Sequence, residues 1–180
     1  MPWGLAARDL GIVAVGVLLF HGANALHAWG GSVLTAGVAV LTAAIVAFVV
    51  NYIAHEWGHL AGARAAGGIA MPNPLRSIQL FRFDADKSSA LAFQSMGWGG
   101  NLAPWVVATA LAVWVAPEGP GHRALVTTAL AGALFVNLIE LPILARAARG
   151  QPPAPPPGAA RFTIGAALAA TIAIAVVVLA

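Results

Sequence analysis

No cysteine occurs in the 180-residue chain. Disulfides, thiolate metal sites and cysteine nucleophiles are excluded together, and the redox compartment leaves no trace. Charge is also scarce. Asp, Glu, Lys and Arg make up 8% of residues, against about 25% in an ordinary soluble domain. A chain that is 60% hydrophobic, with a mean hydropathy of +0.85, cannot cover its surface with so few polar side chains. Lipid is then the expected solvent for most of it. The net charge of +3 comes from basic residues scattered singly, so no patch suited to nucleic acid is present. No internal repeat is found.

What the chain has instead is long apolar runs. Five spans stand out, at about 10–28, 33–62, 90–116, 123–146 and 162–180, most of them near or above the roughly 20 residues that cross a bilayer. The first could pass for a secretory signal, but Asp9 neutralises Arg8 at its start, so it reads as a retained helix. Gly30-Gly31 separates the first two spans, and Pro117-Glu118-Gly119-Pro120-Gly121 the third and fourth. A Pro-rich stretch over 151–158 reads as a stiff linker. The expected organisation is a first helix and outer loop (1–32), a core of three helices (33–147), a linker (148–160) and a last helix (161–180).

Charge placement supports five crossings. The N-terminus and the second and fourth loops then share one side, with Arg8, Arg64, Arg76, Arg82, Lys87, Arg146, Arg149 and Arg161. The other side holds only Arg123. By the positive-inside rule the N-terminus is cytoplasmic and the C-terminus outside, in an inner (cytoplasmic) membrane of bacterial type. Trp29 and Trp114 then fall near the outer interface, where indole rings are favoured. In the second loop, residues 77–83 are rich in strand formers and lie between Pro72-Asn73-Pro74 and Asp84-Ala85-Asp86. They read as a short strand or hairpin, with a slip in alternation at Leu80-Phe81 that a bulge would explain. An amphipathic interfacial loop fits the pattern equally well. The fold class is thus all-α, with about five transmembrane helices and a short membrane-associated β-hairpin between the second and third.

The chemistry concentrates in His55-Glu56-Trp57-Gly58-His59, an H-E-x-x-H pattern inside the second span. On a helix, residues i and i+4 share a face, so both imidazoles can reach one zinc ion. Glu56 is then placed as the general base of a zinc hydrolase. The chain has five histidines and six acidic residues, yet three of them fall in this window. Ionisable groups at the centre of a membrane helix cost roughly 2.5–3.5 kcal/mol each on insertion scales, so three together need a shared reason. The bland alternative is a satisfied polar cluster that joins helices.

Zinc wants a third protein ligand and an open fourth position. Glu140 is the candidate, because no other charge lies between Arg123 and Arg146. His59 and Glu140 sit five and six residues before Arg64 and Arg146, a similar depth of some 8–9 Å at about 1.5 Å per residue. The alternative is a Glu paired with Arg or protonated against a neighbouring helix. Asp84 and Asp86 read as turn formers, and His21 and His27 as packing or interface residues. His122 and Glu118 belong to the outer side. Asn101 and Asn137 share the depth of the motif, and Asn51 lies one turn before His55. Such amides hold a peptide backbone, orient a ligand or bond between helices, the last being the default for Asn51. Gly97, Gly99 and Gly100 allow close helix approach around Asn101.

With these residues in view, the chain over about 33–147 resembles the site-2 protease family of intramembrane zinc metalloproteases. The matching features are His55-Glu56-Trp57-Gly58-His59, the 78–83 segment, Gly97-Trp98-Gly99-Gly100-Asn101 and Val136-Asn137-Leu138-Ile139. The third is similar to the family's Gly-Pro-x-x-Asn, with Trp98 in place of Pro. The fourth is similar to the opening of an Asn-Leu-x-Pro stretch that in the family leads to an Asp-Gly, whose Asp is the third ligand. Here Glu140 stands where the family has Pro, and no Asp-Gly follows. The resemblance implies zinc held by His55, His59 and Glu140, with Glu56 as base. Asn101 and Asn137 would hold the substrate or its oxyanion. The implied substrate is a transmembrane segment of another protein. The altered ligand motif and the lack of a peptide-binding domain leave an alternative of another class: an inactive, protease-like subunit of a larger membrane complex. A non-haem iron lipid oxidase is disfavoured, since three histidines beyond the motif are too few.

Overall fold

The computed structural model describes residues 3–116, 118–151 and 158–179. Most of the Pro-rich linker, and Pro117 of the outer turn, lie outside the described residues. Five helices occur where five spans were expected: α1 (Trp3–Gly30), α2 (Val33–Ala65), α3 (Ala90–Trp114), α4 (Pro120–Ala148) and α5 (Ala159–Leu179). Their ends have local causes. Gly31 takes a φ of +60° after α1, a conformation that favours glycine. Ser32 and Thr35 form a reciprocal capping box at the start of α2, and Ser89 Oγ accepts the Ala92 amide at 3.1 Å at the start of α3. Pro120 opens α4 in the first turn, where its missing N–H costs nothing.

Three of the five, α1, α2 and α4, are long and apolar enough to cross a membrane by length and composition. The 25-residue α3 is not among them; it carries the polar residues Gln94, Ser95 and Asn101. In α5 only a shorter apolar segment, Phe162–Ile172, is counted among the described residues. Packing is inverted relative to a soluble domain. The core between α1, α2, α3 and α4 is made largely of small residues, with Ala43, Ala47, Ala108, Ala129 and Ala133 around Phe20, Val46 and Leu125. Large apolar side chains such as Leu18, Leu34, Phe48 and Leu102 face outward. Small residues let backbones approach, and outward leucines suit an apolar solvent.

The segment between α2 and α3 forms a two-stranded antiparallel sheet, β1 (Ala70–Pro72) with β2 (Phe81–Phe83). Its register pairs Ala70 with Phe83, Met71 with Arg82 and Pro72 with Phe81. The hairpin was expected, but its strands sit differently. Only the last three residues of 77–83 are strand, and Leu80-Phe81 is where β2 begins. The partner strand ends at Pro72, which the sequence presents as a boundary. A proline is tolerated there because the sheet has only edge strands. Bonds from Asn73 N to Leu80 O and from Asp84 N to Ile69 O, both 2.9 Å, continue the pairing.

Candidate metal centre

Glycine sets the distance between α2 and α3. A Cβ on Gly58 would collide with the Gly99 carbonyl, one on Gly62 with the Ser95 carbonyl, and one on Gly100 with the His59 ring. The backbones therefore touch, and carbonyls of α3 come within reach of imidazoles on α2. His55 Nδ1 donates to Gly100 O at 3.0 Å, and His59 Nδ1 donates to Met96 O at 2.8 Å. The first bond has a sequence cause. Pro104 lies inside α3 and has no N–H, so the carbonyl four residues earlier, Gly100, loses its helical donor. His55 takes that donor's place.

These bonds fix the tautomer. A carbonyl only accepts, so each Nδ1 carries a proton and each neutral ring turns a bare Nε2 the other way. The two Nε2 atoms face each other at 3.0 Å. Glu140 Oε1, from α4, lies 3.3 Å from His55 Nε2 and 3.5 Å from His59 Nε2. Three lone-pair donors converging in this way repel unless a cation lies among them. A proton on one ring neutralises one pair; a metal ion serves all three.

Dimensions favour the metal. Zinc bonds of about 2.0–2.2 Å give a tetrahedron edge of roughly 3.3–3.6 Å; the two sides of the donor triangle that meet at Glu140 are 3.3 and 3.5 Å, and the side between the imidazoles is 3.0 Å. His55, His59 and Glu140 are the one group of potential metal donors close enough together among the described residues. The carboxylate is held too: Asn101 Nδ2 donates to Glu140 Oε2 at 2.9 Å and to Gly97 O at 2.9 Å. Asn101 is only 1% exposed, and its Oδ1 has no partner among the described residues. It turns its donor face to Glu140, leaving Oε1 for the imidazoles. The residues present therefore suit zinc, with their outer partners in place.

Glu56 projects elsewhere. Its Oε2 accepts the Leu80 amide at 2.9 Å, just before β2. It lines a cavity of about 290 Å³ with Arg8, Tyr52, Leu75 and Ile78. A second cavity, about 330 Å³, adjoins the triad and is lined by Tyr52, His55, Phe135, Ile139, Glu140 and Phe162 among others. Asn137 accepts from Trp105 Nε1 at 3.2 Å and donates to Ala133 O at 3.3 Å. The amides of Asn101 and Asn137 each bond both along their own helix and across to the neighbouring one, and neither residue lines the cavity beside the triad. Asn51 bonds between helices, donating to Ala129 O at 2.7 Å. Asp84 bonds Lys87 N at 3.2 Å, as a turn former does.

Sequence reasoning passed over the support at Trp57. Asp9, 4% exposed, accepts Trp57 Nε1 at 2.8 Å and Arg8 Nε at 2.7 Å. Arg8 Nη1 donates to Leu75 O and Ser77 O, both at 2.7 Å. The start of α1 thus fastens the loop before β2 to the motif helix. An acid at a helix start beside an arginine was the only hint. No protein-family model, curated protein or solved structure matches the chain.

Proposed function

We propose that the chain is a zinc-dependent intramembrane endopeptidase, set in a bacterial cytoplasmic membrane with its N-terminus cytoplasmic and its C-terminus outside. The reading includes α3 and α5 as crossings alongside α1, α2 and α4. The observation that carries it is the convergence of His55 Nε2, His59 Nε2 and Glu140 Oε1, with both Nδ1 atoms already bonded to carbonyls.

His55, His59 and Glu140 hold the metal, and Asn101 orients Glu140. Zinc bound there supplies a Lewis acid that polarises a peptide carbonyl and brings the pKa of water to about 7. Glu56, next to His55 on the motif helix, accepts a proton from the attacking water as its oxygen bonds to the carbonyl carbon. The C–N bond then breaks, and Glu56 returns the proton to the departing nitrogen. Carboxylate and amine are the products, and no other reactant is needed. For this the Glu56 carboxylate has to exchange its bond with Leu80 N for one with water. The substrate is an apolar, membrane-embedded segment of another protein, locally unwound so that its peptide bond is accessible. The apolar walls of the cavity beside the triad suit such a chain.

The test is cleavage of a leucine-rich transmembrane peptide in proteoliposomes by the purified, zinc-loaded chain. Wild type cleaves; Glu56→Gln binds zinc and does not. Zinc binding without any Glu56-dependent cleavage points instead to an inactive subunit of a membrane complex.

A further inference from the structure

The two cavities that flank the motif helix share one residue. Tyr52 lines both the cavity of about 290 Å³ that contains Glu56 and the cavity of about 330 Å³ that contains His55 and Glu140. It stands three residues before His55 and four before Glu56, which places all three on neighbouring positions of α2. It is the only tyrosine in the chain. Its hydroxyl has no hydrogen-bond partner among the described residues, so its donor is free for a ligand. The other polar residues lining the cavity beside the triad are committed: His55 and Glu140 to the metal site, and Asn51 through its amide to Ala129 O. Asn101 and Asn137, the residues expected to steady an oxyanion, do not line this cavity. Tyr52 thus borders both the cavity of the metal donors and the cavity of the proton acceptor.

We propose that Tyr52 is a further catalytic residue, whose hydroxyl donates a hydrogen bond to the carbonyl oxygen of the peptide bond being cleaved. This rests on the protease reading above. The phenol keeps its proton and strengthens its bond as negative charge builds on that oxygen. It therefore acts on the transition state more than on substrate binding.

The experiment compares zinc-loaded, full-length wild type with Tyr52→Phe on the leucine-rich transmembrane peptide in proteoliposomes. Loss of one such donor lowers kcat by about 100- to 1000-fold while KM stays within about threefold. Zinc content is expected to be unchanged. A second readout needs no turnover. Because Tyr52 is the sole tyrosine, labelling at Cζ with ¹³C gives one resonance in the wild type. That resonance shifts when a dileucine phosphinate, a tetrahedral mimic of an apolar peptide bond, is added. Glu56-dependent cleavage with unchanged kcat in Tyr52→Phe, or a resonance that saturating phosphinate does not move, overturns the Tyr52 assignment alone. Zinc-loaded wild type with no Glu56-dependent cleavage overturns the protease reading, and the Tyr52 assignment with it.

Discussion

Pro104 frees the carbonyl that holds His55. The proline sits four residues after Gly100, whose oxygen has no helical N–H to accept and meets His55 Nδ1 at 3.0 Å. Pro104→Ala restores a competing donor inside α3 and loosens the orientation of His55. Outer partners of metal-binding histidines typically carry 10- to 100-fold in affinity. Zinc affinity of Pro104→Ala, read by competition with a chelator, is expected to fall by about tenfold or more. Unchanged affinity would show that Gly100 O does not orient the ring.

Glu140 depends on Asn101 in a similar way. Asn101→Ala removes the 2.9 Å bond to Oε2 and lets the carboxylate rotate. The expected result is zinc binding weakened by about tenfold in a folded protein, measured by calorimetry. Glu140→Ala, by contrast, is expected to abolish stoichiometric binding. The difference separates a ligand from its support.

The close approach of α2 and α3 makes a stability prediction. Gly62→Leu forces a side chain into the Ser95 carbonyl, whereas a Cβ on Gly37 meets nothing within 4 Å. Overpacking at such a contact costs about 1–3 kcal/mol. Unfolding in mixed micelles should show Gly62→Leu destabilised by about that amount or more, with Gly37→Leu close to wild type. Equal loss in both would mean that the helices do not touch at Gly62.

Asp9 fastens α1 to the motif helix. Asp9→Ala strips an acceptor from the half-buried Trp57 Nε1 and from Arg8, a loss of about 1 kcal/mol, at the low end for an unpaired donor. Beyond that loss, the loop held by Arg8 through Leu75 O and Ser77 O should open more often. Faster amide hydrogen exchange across 75–80 is the expected sign. Protection equal to wild type would contradict the fastening role.

Much of this was legible in the sequence, for physical reasons. Apolar runs long enough to span a bilayer located the helices, because lipid imposes length. His55, His59 and Glu140 could be grouped because ionisable residues are rare and costly in such runs. The strand partner was not legible: Pro72 reads as a breaker, and only an edge position allows it inside β1. The work of the asparagines was legible in part, since Asn51 bonds between helices as its position suggested. Depth placed Asn101 and Asn137 level with the motif, but rotation about the helix axes decides their bonds. Asn101 turns to Glu140 and Asn137 to Trp105. The role of Asp9 depends on contact across 48 positions, which no local pattern encodes. Pro104 was a missed feature with a clear local signal, since a helical proline frees the carbonyl four residues before it.

The central claim is that His55, His59 and Glu140 form one metal site. Its most direct test is the zinc content of the purified chain and of Glu140→Ala after identical zinc loading and desalting. About one zinc per wild-type chain, lost in Glu140→Ala, is predicted. Wild type without stoichiometric zinc, or Glu140→Ala that keeps it, would contradict the account.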